Sequence, residues 1–303
     1  TLNFTVAQPT SGTLSLQPVI TNLNFPTAIA QAPDGRIFFN ERLTGRTRII
    51  NPGWQLAATP FCQVSVLTDT EQGLLGLALD PNFSQNKFVY VYYTAGNPLR
   101  NRVVRYTDSN GTCIQETPIL DNLPANRVHN GGIIKFGPDA KLYVVIGDAG
   151  NNLNSQDLTS LAGKVLRVNP DGSAPSDNPF FNNSNANAKK VFSLGHRNSF
   201  GFAFHAHTND LWQTENGPQD NDEINRIVRG GNFGWPTWRG IVNQAGFIDP
   251  ILAFTPVFAP TGIISIPSNS SVYPASYHNN LLFVDFNTGR VRRIVLSGEG
   301  LSE

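Results

Sequence analysis

The chain has 303 residues, long for one ordinary domain but within reach of a single repeat fold. Hydrophobic residues make up 40% and charged residues 15%, below the roughly 25% charged of soluble domains. Lys+Arg and Asp+Glu are both 22, so there is no basic field for nucleic acid, and no apolar run approaches the ~18 residues of a membrane span.

Helical periodicity is hard to find. Short runs of Val, Ile, Phe and Tyr, bounded by Gly, Pro, Asn and Asp, predict strands throughout. The first segment, "LSLQPVITNLNFP", is a candidate strand. Five versions of one phrase follow: strand, Pro/Asp/Asn/Gly turn, strand, polar loop, and a third strand carrying Arg among apolar residues. They begin at "PTAIAQAPDGRIFFNERLTGRTRII" and "GLLGLALDPNFSQNKFVYVYYT". They continue at "GGIIKFGPDAKLYVVIGD", "GFAFHAHTNDLWQTENGP" and "GIISIP", the last running on to "LLFVDFNTGRVRRIV". The third-strand arginines are Arg48, Arg105, Arg167, Arg226 and Arg293, spaced 57, 62, 59 and 67 apart. That period predicts an all-β propeller, since a lone blade cannot bury both faces and blades around an axis can. A two-sheet sandwich would share the alternation but not the recurring order. The pieces between units read as loops, so one β-propeller domain is expected over 1–303. Five blades are countable. A sixth, drawing on the first segment, would be incomplete because the chain stops at Glu303.

Cys62 and Cys113 are the only cysteines. The chain has no Met and starts at Thr1, which predicts removal of an export signal and a secreted, extracellular or periplasmic location. In that setting a Cys62–Cys113 disulfide is expected, worth about 4 kcal/mol on the chain-entropy model; two buried thiols are the alternative. Asn3, Asn110 and Asn269 head glycosylation sequons.

In a propeller, loops leading into the innermost strands gather at one mouth. His129 leads into the inner strand of blade three, and Arg197-Asn198 into that of blade four. Asp148 closes a strand of the blade that holds His129. An imidazole held at one nitrogen by a carboxylate keeps the other free as a base, and a neighbouring guanidinium supplies fixed positive charge. A turn-capping His and an Arg bound to backbone carbonyls are the ordinary alternatives. In "ENGPQDNDEIN", Glu215, Asp220, Asp222 and Glu223 form a dense set of hard oxygen donors that suits Ca²⁺; a solvated acidic loop is the other reading. His205-Ala-His207 reads as a surface turn.

At these residues the chain resembles the glucose/sorbosone dehydrogenase family. The matching stretches are "EQGLLGLALDPNF", "VHNGGIIKFGPDAKLYVVIGD", "LAGKVLRVNPDG", "GHRNSFGFAF", "ENGPQDNDEIN" and "GGNFGWP". The resemblance implies a six-bladed propeller that uses pyrroloquinoline quinone (PQQ) and calcium to oxidise aldose sugars to lactones, passing electrons to an external acceptor. It implies His129 as base, Asp148 as its orienting carboxylate, and Arg197 and Asn198 as cofactor contacts. Gly217 and Pro218 would give backbone carbonyls to the cofactor's calcium, and Asp222 and Glu223 would bind a second calcium. The chain departs from the family pattern at Glu71, Leu153 and Asn287, where Gln, Gln and Lys are expected, and it ends before a basic pair of the last blade. These departures resemble the Hedgehog-interacting-protein branch and imply an alternative, a non-catalytic extracellular propeller that binds an assembly partner.

Overall fold

The computed structural model describes residues 17–296. Among the described residues twenty strands form five antiparallel sheets in chain order. Sheet one holds β1 (Pro26–Gln31), β2 (Ile37–Glu41), β3 (Arg46–Asn51), β4 (Gln55–Leu56) and β5 (Cys62–Gln63). Sheet two holds β6 (Leu74–Leu79), β7 (Phe88–Ala95), β8 (Arg100–Ser109) and β9 (Thr112–Leu123). Sheet three holds β10 (Ile134–Phe136), β11 (Leu142–Ile146), β12 (Lys164–Val168) and β13 (Val191–Leu194). Sheet four holds β14 (Gly201–Phe204), β15 (Leu211–Glu215), β16 (Asp222–Ile227) and β17 (Leu252–Phe254). Sheet five holds β18 (Pro260–Ser265), β19 (Leu281–Asp285) and β20 (Val291–Ile294).

The sheets are the blades of a propeller, and the strand alternation shows why each is apolar on both faces. On β7, Tyr90 and Tyr92 pack toward sheet three, while Val89, Val91 and Tyr93 pack toward sheet one. On β11, Leu142, Val144 and Ile146 face sheet two, and Tyr143 and Val145 face sheet four. A fourth cluster around Trp212, Phe258 and Phe283 joins sheets four and five. First strands of neighbouring blades touch, β1 with β6, β6 with β10, and β14 with β18. At the two ends of the series faces stay open: Ile29 on β1 is 70% exposed and Ile264 on β18 is 45% exposed.

Every one of the five recurring arginines lies on the third strand of its blade, in register with Phe39, Tyr90, Tyr143, Trp212 or Leu282 of the second strand. Arg167 and Arg226 reach back to Asp139 and Asp210 in their own blade's first hairpin. The repeat is therefore structural. Of "LSLQPVITNLNFP", residues 14–26, the described residues 17–25 carry no strand and Pro26 begins β1; the described residues contain no sixth sheet. Asn3 and Glu303 lie outside the described residues. Asn110 sits exposed in the β8–β9 turn, and Asn269 is exposed. Cys62 on β5 and Cys113 on β9 form a disulfide that joins blades one and two.

Candidate active site

Antiparallel pairing sets the start of each first strand beside the end of the second. Leu74 pairs with Tyr93, Ile134 with Val144, Gly201 with Thr214, and Pro260 with Asp285. The loops before β6, β10, β14 and β18 therefore share one rim with the ends of β7, β11, β15 and β19. An open cleft of about 280 Å³ on this rim is lined by His129, Asp148, Gly150, Asn151, Asn152, Arg197, Pro218 and Trp235.

His129 has φ +57, in the left-handed region that a side chain with a β-carbon occupies at a cost. Three contacts hold it there. Its backbone N–H donates to Glu71 Oε2 at 2.6 Å, and its carbonyl accepts from Ala149 N–H. Gly147 lets the backbones approach, because a β-carbon there would run into the His129 carbonyl. The opening of "RVHNGGIIKFGPDAKLYVVIGD" is thus a backbone fold that delivers an imidazole to the end of the second strand.

His129 Nδ1 lies 2.7 Å from Asp148 Oδ1. Asp148 is 1% exposed, and its oxygens also accept from Gly150 N–H at 2.8 Å and the Trp235 indole N–H at 2.9 Å. An ionised carboxylate only accepts, so the proton sits on Nδ1 and the neutral ring keeps Nε2 as an acceptor. No partner to Nε2 is found among the described residues. Asp148 N–H donates to the Arg197 carbonyl, which ties blades three and four together beneath the cleft.

Arg197 lies across the cleft, its guanidinium 5.3 Å from the Trp235 ring centre. It donates to the Asn216 carbonyl at 2.8 Å, and its buried Nε has no partner. Burial draws its pKa below the ordinary value, against the pull of Asp148, Glu215, Glu71 and Asp222. Its backbone N–H donates to Glu215 Oε1. The other Glu215 oxygen lies 3.0 Å from His196 Nδ1, and His196 Nε2 lies 2.8 Å from Ser193 Oγ. This buried Ser-His-Glu chain underlies the Arg197 loop; all three side chains are enclosed, so it braces that loop and does not open on the cleft.

Asn198 is placed beside the dyad but turned inward. It is 2% exposed, with Oδ1 taken by Gly131 N–H and its amide donating to Glu71. Glu71, a charge without a role in the sequence, is the acceptor that joins the His129 and Asn198 loops. Leu153 is 71% exposed on the single-turn helix Asn152–Gln156 beside the cleft. Asn287 follows β19 on the same rim.

The acidic loop is not one solvated loop. Glu215 ends β15, Asp222 and Glu223 begin β16, and all three are buried. Asp222 and Glu223 point to alternate faces and do not converge. Asp222 accepts three backbone N–H groups, from Gly217, Phe258 and Ala259, so it fits a loop anchor better than a cation ligand. Glu223 is in register with Glu215, and burial together with that neighbour pushes its pKa up to about 8. Gly217 and Pro218 line a water-sized cavity with Glu215, Glu223 and Arg197. Among the described residues no group of three His, Cys, Asp or Glu side chains is arranged to hold a metal. His205 is buried in the turn after β14, with Nε2 on the Asn279 carbonyl.

Sequence reasoning missed Trp235, which comes from the long loop after β16 and reaches both Asp148 and Arg197. Trp235 lies in the matching stretch "GGNFGWP", but nothing in that stretch assigns it a role. Lys164 was missed as well. It is fully buried on β12, donates to the carbonyls of Asn154 and Ala162, and so braces the helix beside the cleft. Burial draws its pKa down to about 7.

A family model, Glucose / Sorbosone dehydrogenase, matches residues 23–303. The chain belongs to this family. It is 37% identical to quinoprotein glucose dehydrogenase B of Acinetobacter calcoaceticus over 76% of this chain, and it spans about half (54%) of that protein's length. A glucose dehydrogenase-like oxidoreductase structure from Thermus thermophilus superposes with TM-score 0.85 at 38% identity, covering 93% of this chain and 82% of that one. The PQQ-bound aldose sugar dehydrogenase of Streptomyces coelicolor superposes with TM-score 0.82 at 32% identity, covering 96% and 84%. Hedgehog-interacting protein of Mus musculus is 30% identical over 65% of this chain and 33% of its own length.

Proposed function

We propose that this protein is an exported quinoprotein oxidoreductase that oxidises the anomeric carbon of aldose sugars to lactones. The observation that carries the proposal is the His129–Asp148 dyad opening on the same cleft as Arg197, whose buried Nε lacks a partner. An unpartnered guanidinium nitrogen at a cleft wall calls for an anionic oxygen, so the residues present fit an anionic quinone cofactor. PQQ, when bound, would supply the acceptor for the hydride, and with it the two electrons, that leaves the sugar carbon.

His129 Nε2 takes the proton of the anomeric hydroxyl. Asp148 stabilises the imidazolium that results and keeps the ring in the competent tautomer. Arg197 faces charge that develops on the cofactor side, and Trp235 walls the cleft and helps keep water out. The Gly217 and Pro218 carbonyls would hold a calcium next to the cofactor. Asp222 is committed to three backbone N–H groups and Glu223 faces the other way, so these residues do not fit a second calcium. An external acceptor would take the electrons from the cofactor. The disulfide supports an oxidising compartment.

A second reading keeps the fold without the chemistry. Glu71 places a carboxylate behind the His129 backbone, and Arg197 already feels four carboxylates, a poor setting for a polyanion. Kinship with Hedgehog-interacting protein favours a binding module on that account. The experiment is direct: add PQQ and Ca²⁺ to the purified chain, follow cofactor binding by tryptophan quenching, and assay dye reduction with several aldoses. Binding and turnover that His129→Ala abolishes support the enzyme. Failure to bind PQQ at high micromolar concentration supports the binding module.

A further inference from the structure

We propose that Trp235 is a positioning residue that sets the basicity of His129 through its indole N–H on Asp148. The inference rests on the proposed role of His129, and its test reads the imidazole itself, so the absence of sugar turnover leaves it decidable.

The Asp148 carboxylate divides its two oxygens unequally. Oδ1 takes the imidazole Nδ1 and the N–H of Gly150, both from blade three. Oδ2 is found with one partner, the Trp235 indole N–H, which arrives from blade four. That donor stabilises the carboxylate's charge and so weakens its pull on a protonated imidazole. Without it, the carboxylate has only the imidazole and one amide to compensate its charge in a buried setting. Protonated His129 then becomes the favoured partner, and the imidazole titrates higher. The same indole lies against the Arg197 guanidinium, so a single side chain spaces the base from the cation across the cleft.

The location of Trp235 does not depend on this hydrogen bond. Its backbone N–H donates to the Gly195 carbonyl, and its own carbonyl accepts from the Gln156 amide at 2.7 Å. A phenyl ring can therefore take the indole's place without moving the loop. The other charged groups around His129 are accounted for. Glu71 meets its backbone N–H, Arg197 lies across the cleft, and Arg127, two residues earlier, is paired with Asp69 at 2.7 Å.

The experiment is an NMR titration of the full chain labelled with ¹⁵N-histidine, without cofactor or sugar, comparing wild type, Trp235→Phe and Trp238→Phe. Trp238 lines the neighbouring water-sized cavity and packs near Phe247, with no bond to the dyad. In Trp235→Phe the His129 midpoint is expected to rise by about 0.5–1 pH unit, the scale of one charge-assisted hydrogen bond shared between two partners. In Trp238→Phe it stays in place. In the active enzyme the acid limb of kcat/KM moves up with the midpoint, which a role in stability alone would not produce. An unmoved His129 midpoint in a folded Trp235→Phe variant overturns the proposal. Should that variant fail to fold, the wild type still decides: the Trp235 indole proton must shift with the His129 midpoint, and an indole resonance indifferent to that titration also overturns it.

Discussion

Replacing Asp148 with Asn keeps the size of the side chain and removes one acceptor. The native carboxylate receives three donors, from His129, Gly150 and Trp235, at 2.7–2.9 Å. An amide has one oxygen. If that oxygen faces His129 and Gly150, the amide NH₂ opposes the indole N–H. If it faces Trp235, the NH₂ meets Gly150 N–H and donates to His129 Nδ1, which drives the imidazole proton onto Nε2. Either way at least one buried donor loses its acceptor, at a cost of about 1–3 kcal/mol in stability. The second arrangement also leaves the dyad without a base at the cleft. Turnover should therefore fall by ~10³–10⁴-fold, the scale expected when a histidine base loses its orienting carboxylate and adopts the wrong tautomer. KM should change far less than kcat. The assays are dye reduction by the PQQ- and Ca²⁺-loaded variant, and ¹⁵N chemical shifts of His129 that report the tautomer. Wild-type turnover in Asp148→Asn would refute the base assignment.

Arg197→Gln should weaken PQQ binding by about 10- to 100-fold while leaving the melting temperature close to wild type, as read by tryptophan quenching and thermal unfolding. Glu71→Gln should preserve both the His129 N–H and Asn198 acceptor roles and remove one negative charge, tightening PQQ binding by about 3- to 10-fold; weaker binding would contradict the charge argument. Lys164 has a pKa drawn down to about 7, so between there and the unfolded value the unfolded chain binds more protons than the native one. Its contribution therefore makes stability rise with pH from about 7 to about 10, by up to ~1.4 kcal/mol per unit, and Lys164→Met should flatten that slope in urea titrations. Reducing Cys62–Cys113, or replacing both with Ala, should lower stability by about 2–4 kcal/mol for a loop of 51 residues.

Much of the architecture could be read before any coordinates. Each blade is a short local unit whose Val, Ile and Tyr alternation and turn residues lie within one stretch, and all five recurring arginines fall on third strands. His129, Asp148 and Arg197 were also legible, because rim position follows from where a loop stands in its repeat. What escaped is nonlocal. Trp235 lies 87 residues from Asp148 and reaches it from a long loop with no repeat register. Glu71 reads in sequence as a departure from an expected Gln, whereas in the structure it accepts a backbone N–H from a residue at φ +57. The acidic cluster reads as a metal loop because spacing does not reveal strand alternation, which sends Asp222 and Glu223 to opposite faces. Lys164 gives no signal of burial, since a lysine beside Gly163 on a strand is an ordinary surface pattern.

The most direct measurement pairs each aldose with its 1-O-methyl glycoside in dye reduction by the PQQ- and Ca²⁺-loaded chain. If His129 removes a proton from the anomeric hydroxyl, the aldose is oxidised to its lactone, the glycoside is inert, and His129→Gln silences the aldose. Equal rates with both sugars, or undiminished oxidation in His129→Gln, would contradict it.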